Sequence, residues 1–544
     1  MNNLPFEILN QIFVLLHSQH KVECMTVCRQ WRHVIESSSL FHTIRVSDMT
    51  QMNKLIERVQ REPTQGTKVE RLILDLEPSD GFDMETIPIL FPNVRVFIAF
   101  NIMEDAGYNT STERSAPPHP WHNHIEHIAE YASGINIPQL LTSSMCLRLT
   151  KLSIYGNDEQ HGRYIIDLLV NAPALKTLSI LGFCFNLTDF ESLHKNVPNL
   201  QSLSIDDTEI NCDIKNADIK PATSVTTFEL KSTGVFLAKD EIELLLYISK
   251  KYPNLLELSY GVVILDEVDY DLGMVYHDGL VPFMKGLGTR LNTLSLGLNN
   301  EIIFPFELLD NAGCQIKKLV LGLIMEQPIL EQLARSSQVE SIQVLIVNYI
   351  VNCNTLNWLK GFRNLKELNL CHPFQRELSK KKMIDISELL TMLGDTLEVF
   401  TLRGVQLSFN ALATRQYPLI KSITLVRVTL PSGLDDYFSR SFPNLRSLSF
   451  RSCDWSNGPF ILPNTNLSYL EIADKMPKDN DVILIKTLNN DEARWYTAKA
   501  KYDTRNTKNQ FSSNDAPVYP AIKSLPFEEY IGEPFMALTS IFLV

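Results

Sequence analysis

Several stretches of the chain bring chemically capable side chains together. His119, His122, His124 and His127 crowd a segment that also holds Pro117, Pro118 and Pro120. Imidazoles at that density invite a zinc reading, but no cysteine lies nearby and no helical spacing pairs them cleanly. A surface loop is expected there, and no metal ligand is assigned. Cys24 and Cys28 are four residues apart on one helix face and are expected to pack as core thiols. Ser, His and Asp are plentiful but nothing groups them, and the chain has no glycine-rich dinucleotide loop, phosphate loop or nucleophile elbow. The expectation is a chain that does no catalysis and carries no cofactor. Binding chemistry is better represented. Asp206, Asp207, Glu209 and Glu229 make an early acidic group, and Arg403, Arg427 and Arg451 make a late basic one. Arginine suits bidentate recognition of carboxylate or phosphate, so a phosphorylated protein segment is one candidate ligand for the late group. The basic run Arg376, Lys380, Lys381 and Lys382 is expected to be a solvated loop.

The elements that would carry these groups are set by an internal repeat. A six-residue phrase recurs: apolar, two variable, apolar, one variable, apolar. It starts at Val69, Val94, Leu149, Leu175, Leu200, Val225, Leu255, Leu291, Ile316, Val339, Leu365, Leu397, Ile420, Leu445 and Leu467, mostly 22 to 26 residues apart. The second and third apolar residues are two apart, so both face one side of a short strand. Asp240 to Lys251 and Ile384 to Leu393 fit helices instead. Neither element buries its apolar face alone; stacked neighbours make one continuous core. The fifth position of the phrase is mostly small or hydroxylic, as at Ser153, Ser179, Ser204, Thr401, Thr424 and Ser449, with Gln343 in the Val339 copy. Tyr155, Asp206, Glu229, Arg403, Arg427 and Arg451 are the candidate target-binding residues on the outward side.

The bulk composition narrows the class. The chain has 544 residues and a net charge of −13. That balance argues against a general nucleic-acid binder, which needs cations to neutralise phosphates. Nine cysteines show no compact disulfide framework. No secretory leader and no apolar run of membrane-spanning length is read. The expected compartment is reducing, either cytoplasm or nucleus.

The phrase resembles the leucine-rich repeat, more narrowly its cysteine-containing type, with Cys184 and Cys453 near the family's cysteine position. Residues 4 to 41 do not follow it. Leu4, Pro5, Glu7, Ile8, Ile12, Phe13 and Leu16, then Val27, Cys28, Arg29 and Trp31, then Leu40 and Phe41, resemble the F-box in order and spacing. The acidic residue that often opens the second helix is missing; Ser18 and His20 stand nearby. The implied fold class is α/β: a leucine-rich-repeat horseshoe solenoid preceded by a small all-α F-box. The expected layout is an F-box at 1–45, a linker or capping helix at 46–68 and repeats at 69–475. Insertions are expected near 101–130, 261–290 and 371–395, with a C-terminal cap and partly mobile tail at 476–544. The resemblance implies that Leu4, Pro5, Ile8, Leu9, Ile12, Phe13, Leu16, Val27, Cys28 and Trp31 bind a Skp-type linker subunit and, through it, a cullin–RING ubiquitin ligase. The repeats would then hold a protein substrate. The competing reading is a leucine-rich-repeat scaffold or inhibitor not coupled to ubiquitin transfer. Neither reading involves a membrane.

Overall fold

The computed structural model describes residues 4–499 and 540–543, except 15, 17, 37–40, 77–85, 101–118, 131–135, 144, 156–158, 207–208, 212–218, 233–237, 263–282, 284, 298–305, 326, 351–355, 373–382, 411–414, 455–459, 463–466, 468, 474–481 and 490–491. The chain divides into two compact units, Met1–Leu291 and Asn292–Val544.

The first unit opens with three short helices, α1 (Phe6–Val14), α2 (Ser18–Met25) and α3 (Arg29–Val34). Strand β1 (Thr43–Val46) and helix α4 (Met49–Arg61) follow. Asp48 caps α4, its side chain accepting from the Gln51 N–H. The later strands are β2 (Arg71–Asp75), β3 (Val96–Phe100), β4 (His127–Glu130), β5 (Lys151–Tyr155) and β6 (Thr177–Leu181), then β7 (Cys184–Asn186), β8 (Ser202–Asp206), β9 (Glu209–Asn211), β10 (Thr227–Ser232) and β11 (Glu257–Val262). They pair in parallel in the order β1, β2, β3, β4, β5, β6, β8, β10, β11. The small strands β7 and β9 form a separate parallel pair.

The phrase dictates each rung. In the β6 copy, Leu175, Leu178 and Ile180 are buried, while Thr177, Ser179 and Leu181 on the alternate side are half-buried. Three wholly buried apolar side chains per rung are worth about 1.5–3 kcal/mol each. Backbone polar groups at the rung starts are satisfied as well. Asn93, Asn199 and Asn254 each donate a side-chain N–H to a carbonyl of an earlier stretch, those of Thr67, Pro173 and Thr223. This accounts for the recurring Pro-Asn before the first apolar residue. The expected helix at 240–251 is present as Ala238–Lys251.

In the second unit the strands are β12 (Thr293–Leu296), β13 (Lys318–Met325), β14 (Val344–Ile350), β15 (Glu367–Cys371), β16 (Met383–Asp385), β17 (Val399–Arg403), β18 (Gln406–Ser408), β19 (Ser422–Val426), β20 (Ser447–Arg451), β21 (Phe460–Leu462) and β22 (Tyr469–Ala473). They pair in parallel in the order β12, β13, β14, β15, β17, β19, β20, β22. The helix expected at 384–393 is Ile386–Leu393, capped by Asp385, and strand β16 precedes it. Near the C-terminus, β23 (Val482–Asn489) and β24 (Glu492–Lys499) pair antiparallel. Strand β25 (Ser540–Leu543) pairs in parallel with both β21 and β23. Residues 500–539 of the expected cap and tail, and the basic run 376–382, lie outside the described residues.

Three repeat assignments change. Phe41, Ile44 and Val46 make a phrase on β1, inside the stretch assigned to the F-box and linker. Ile125, Ile128 and Glu130 make another on β4, inside the expected insertion 101–130. Glu130 fills an apolar slot, fully buried, and accepts the Ile137 N–H at 3.2 Å. The third change is a slip of register. Leu345 pairs with Leu319 and Leu368, so that copy begins at Ile342 rather than Val339, and Ile346 rather than Gln343 holds its fifth position. Of the histidine segment, His119, His122 and His124 lie at a turn built on Trp121, and His127 opens β4. The Trp121 indole N–H donates to the Phe91 carbonyl at 2.8 Å, and His119 Nδ1 accepts the Trp121 backbone N–H at 3.2 Å. Among the described residues, no three His, Cys, Asp or Glu side chains are placed to hold a metal ion, and no helix is long and apolar enough to cross a membrane.

Candidate functional site

The N-terminal helices divide the ten expected linker-binding residues into two sets. The Leu9 N–H donates to the Pro5 carbonyl at 3.1 Å, so Pro5 sits where a helix start tolerates it. Leu9 and Phe13, together with Val34 and Ile35, form the small core of the three helices. Leu4, Leu16 and Trp31 pack against that core, partly buried. Trp31 meets Phe13 edge-on, with ring centroids 5.3 Å apart at 67°. Cys28 caps α3, its sulfur accepting the Trp31 backbone N–H at 3.4 Å. The structure therefore corrects the assignment of Leu9 and Phe13. Their side chains hold the helices together and are out of a partner's reach. Ile8 and Ile12, one turn apart on α1, are 41% and 43% exposed, and Val27 is 62% exposed. Phe6 and Val22 join them as exposed large apolar side chains. Neither was among the expected contacts, although both are large apolar residues of this segment. The exposed Ile8–Ile12 pair on α1, beside so small a core, has the character of a docking surface.

In the first unit's repeats, Tyr155 and Asp206 end β5 and β8 on the open side, and Glu229 sits mid-strand on β10. The early group is mixed in charge rather than simply acidic. Glu229 accepts from Ser204 Oγ at 2.8 Å and pairs with Lys231 at 2.5 Å. Burial alone would raise its pKa, but Lys231 and Ser204 hold the carboxyl below its ordinary range. Lys231 also lies in register beside Asp206. Asp207 lies outside the described residues.

The second unit separates the three late arginines. Arg403, Val426 and Arg451 are in register across β17, β19 and β20, so Arg427 is one residue past that column. It occupies the turn position held by Gly404 one copy earlier, with a left-handed φ of 54°. A Cβ at Gly404 would come within 2.6 Å of the His372 carbonyl oxygen, so glycine is required there. Arg451 is already engaged. Its Nη2 lies 2.8 Å from Glu471 Oε2 and its Nε 3.0 Å from Oε1, while Ser449 and Tyr469 hydroxyls donate to the same carboxylate. Glu471 is pushed up by its burial, but the Arg451 and Ser449 hydrogen bonds hold it below its ordinary range. Burial raises the Cys371 thiol, and Arg403, in register beside it, and Arg427 both act against that rise. Arg403 and Arg427 remain target-binding candidates, whereas Arg451 is held by Glu471.

The comparisons with known proteins divide along the same line. The family described as F-box-like matches residues 1–47. No curated protein matches the sequence. Among solved structures, the chain is similar to TLR13 in a complex with ssRNA13, at 15% identity and a TM-score of 0.37, covering 75% of this chain and 58% of that one. It is similar to the Rad7 and Elc1 complex of yeast at 17% identity and a TM-score of 0.37, covering 62% of this chain and 84% of that chain. It is also similar to a leucine-rich-repeat protein of Leptospira interrogans at 14% identity and a TM-score of 0.33, covering 76% and 95%. The chain thus spans little over half the length of the first of these. At such identities and scores, none of the three bears on what this chain binds. What the match and the strand-by-strand geometry show is an F-box-like segment at residues 1–47, followed by parallel-strand repeats of the leucine-rich kind.

Proposed function

We propose that this chain is the substrate-recognition adaptor of a Skp–cullin–F-box ubiquitin ligase. The observation that carries the reading is the exposed pair Ile8 and Ile12, one turn apart on α1 within the F-box-like segment, over a core too small to use them. That pair docks the Skp-type linker subunit, and a cullin–RING assembly joins through it. The repeats hold the target protein, with Arg403 and Arg427 taking an anionic, phosphorylated segment. The chain does no chemistry itself; holding the target near a charged ubiquitin enzyme raises the effective concentration. Such a ligase works in the cytoplasm or nucleus.

Affinity purification of the tagged chain from cells tests the reading. Linker and cullin subunits should both be recovered, and both should disappear with Ile8→Ala plus Ile12→Ala. Absence of both from the wild-type preparation overturns it. Arg403→Glu plus Arg427→Glu should remove the target while leaving the ligase subunits bound.

A further inference from the structure

The open face of the first unit carries a second charged feature that is not among the target-binding candidates. Arg71 on β2, Val96 on β3, His127 on β4 and Lys151 on β5 are in register across four consecutive parallel strands. All four lie on the side opposite the core residues Leu72, Phe97, Ile128 and Leu152. The carboxylates that start the same strands are committed elsewhere. Glu70 lies 3.5 Å from Arg95 and 3.7 Å from His42, and Glu126 is bonded to Arg95. Among the described residues, no ion pair joins Arg71 or Lys151 to an acidic side chain. His127 stands half-buried between these two cations. Its pKa is lowered to about 4, first by burial and then by Lys151 and Arg71, with no acid working the other way. Among the described residues two cations, Arg71 and Lys151, with a neutral His127 between them, are thus left without an ion pair in a chain whose net charge is −13.

We propose that this row is a docking surface for an extended acidic segment of a protein partner, lying across the strands with one carboxylate on Arg71 and a second on Lys151. The spacing supports a peptide. Three strand steps at roughly 4.8 Å separate Arg71 from Lys151 by about 14 Å. Acidic residues four apart in an extended segment are about 13 Å apart. His127 lies between the two contacts, where an incoming carboxylate offsets the two cations. The row is too short for a nucleic-acid backbone, which needs a longer basic track. It continues through Thr177, Ser202 and Thr227 to Glu257 with no further cation. The inference stands apart from the ligase reading, and its test contains no linker subunit.

The test uses the full-length chain and fluorescence anisotropy. The probes are a labelled octapeptide with aspartate at positions two and six, its asparagine analogue, and an eight-nucleotide single-stranded DNA. The aspartate peptide should bind at least tenfold more tightly than the asparagine one. Arg71→Glu plus Lys151→Glu, both at exposed positions, should remove that difference, while Arg403→Glu plus Arg427→Glu should not. Bound peptide should also raise the pKa of His127, read from its imidazole resonances by comparison with His127→Gln. Equal binding of the two peptides, displacement of the aspartate peptide by equimolar DNA, or full binding by the Arg71→Glu and Lys151→Glu variant would each overturn the proposal.

Discussion

The division of the F-box-like helices into a core and a face can be tested with two perturbations that fail in different ways. Ile8 and Ile12 are 41% and 43% exposed. Fully burying an isoleucine is worth roughly 1.5–3 kcal/mol, so the still-exposed two-fifths of each side chain offers about 1 kcal/mol to a partner. Truncating both to alanine should weaken linker binding by about 2 kcal/mol, roughly thirtyfold in Kd, with the fold intact. Phe13 is 2% exposed and carries the edge contact with Trp31. Phe13→Ala should cost about 3–5 kcal/mol of stability, a large share of what so small a helical segment has. Calorimetric titration with purified linker subunit measures the first effect, and urea unfolding followed by circular dichroism measures the second. The Ile8→Ala, Ile12→Ala variant should lose affinity with a smaller loss of stability than Phe13→Ala, which should lose both together. The reasoning is wrong if the double alanine variant binds within threefold of wild type, or if it unfolds as readily as Phe13→Ala.

Three further outcomes follow from buried and strained groups. His194 is buried against the Tyr252 hydroxyl, 2.9 Å away, and its pKa is lowered to about 3 by burial and by Lys251. A histidine whose folded pKa lies below its unfolded value of about 6.5 favours unfolding as pH falls from about 6.5 towards 3. Between pH 7.5 and 5 His194 alone should cost the first unit about 2 kcal/mol, read as a lower urea midpoint, and His194→Gln should remove that share while leaving the one from half-buried His127. Lys251 is 1% exposed and its ammonium lies 2.7 Å from Glu191, which also accepts from Tyr247. Lys251→Ala should therefore destabilise by about 3–5 kcal/mol, and a shift below 1 kcal/mol in urea would show the pair to be dispensable. Arg427→Gly relieves a left-handed φ that costs a non-glycine residue about 1–2 kcal/mol, partly offset by glycine's entropy. The thermal midpoint should rise slightly; a fall would mean that the arginine's contacts outweigh the strain.

Strand positions were legible wherever the three apolar slots were filled by apolar residues, because the period of two and the repeat spacing both point to one geometry. They failed where a residue served two readings. Phe41 closes the F-box landmarks and also opens the β1 phrase, where it packs under Arg58 with the guanidinium 4.8 Å from the ring centroid. Glu130 hid the β4 copy because a carboxylate in a core slot reads as an interruption. The Ile137 N–H that makes it tolerable comes from the following helix. The run from Val339 to Val347 is apolar enough for two registers, and pairing with Leu319 and Leu368 chooses between them. Residue types in the F-box-like helices were equally legible, but facing was not. Ile8 and Leu9 are adjacent and similar, and only the packing of α3 over one side of α1 sends Leu9 inward and leaves Ile8 out.

The late arginines show why columns read along a sequence mislead at strand ends. A residue in left-handed conformation follows several strands: Gly182 after β6, Gly404 after β17, Arg427 after β19 and Ser452 after β20. At the first three, the N–H donates to the last residue of the next strand, Asp206, Val426 and Arg451 respectively. The turn is thus part of the ladder, and its side chain leaves from a different point than the strand-end residue before it. Arg403 projects from a strand end, whereas Arg427 projects from the turn of the neighbouring copy. Arg403 is in register beside Cys371, and the two arginines are not equivalent positions. Arg451 is equivalent to Arg403 but meets Glu471 on the adjacent strand, a partner twenty residues later that only the register reveals. Three evenly recurring arginines would suit an extended anionic track. The two that remain, with Thr401 and Thr424 in register on the same strands, suit a single phosphate or carboxylate under the proposed function. On that proposal, specificity would rest on one anionic group at the ends of β17 and β19. A single charge reversal at Arg403 should abolish capture of a monophosphorylated target, while reversal at Arg451 should act mainly through loss of the Glu471 pair and appear as lowered stability.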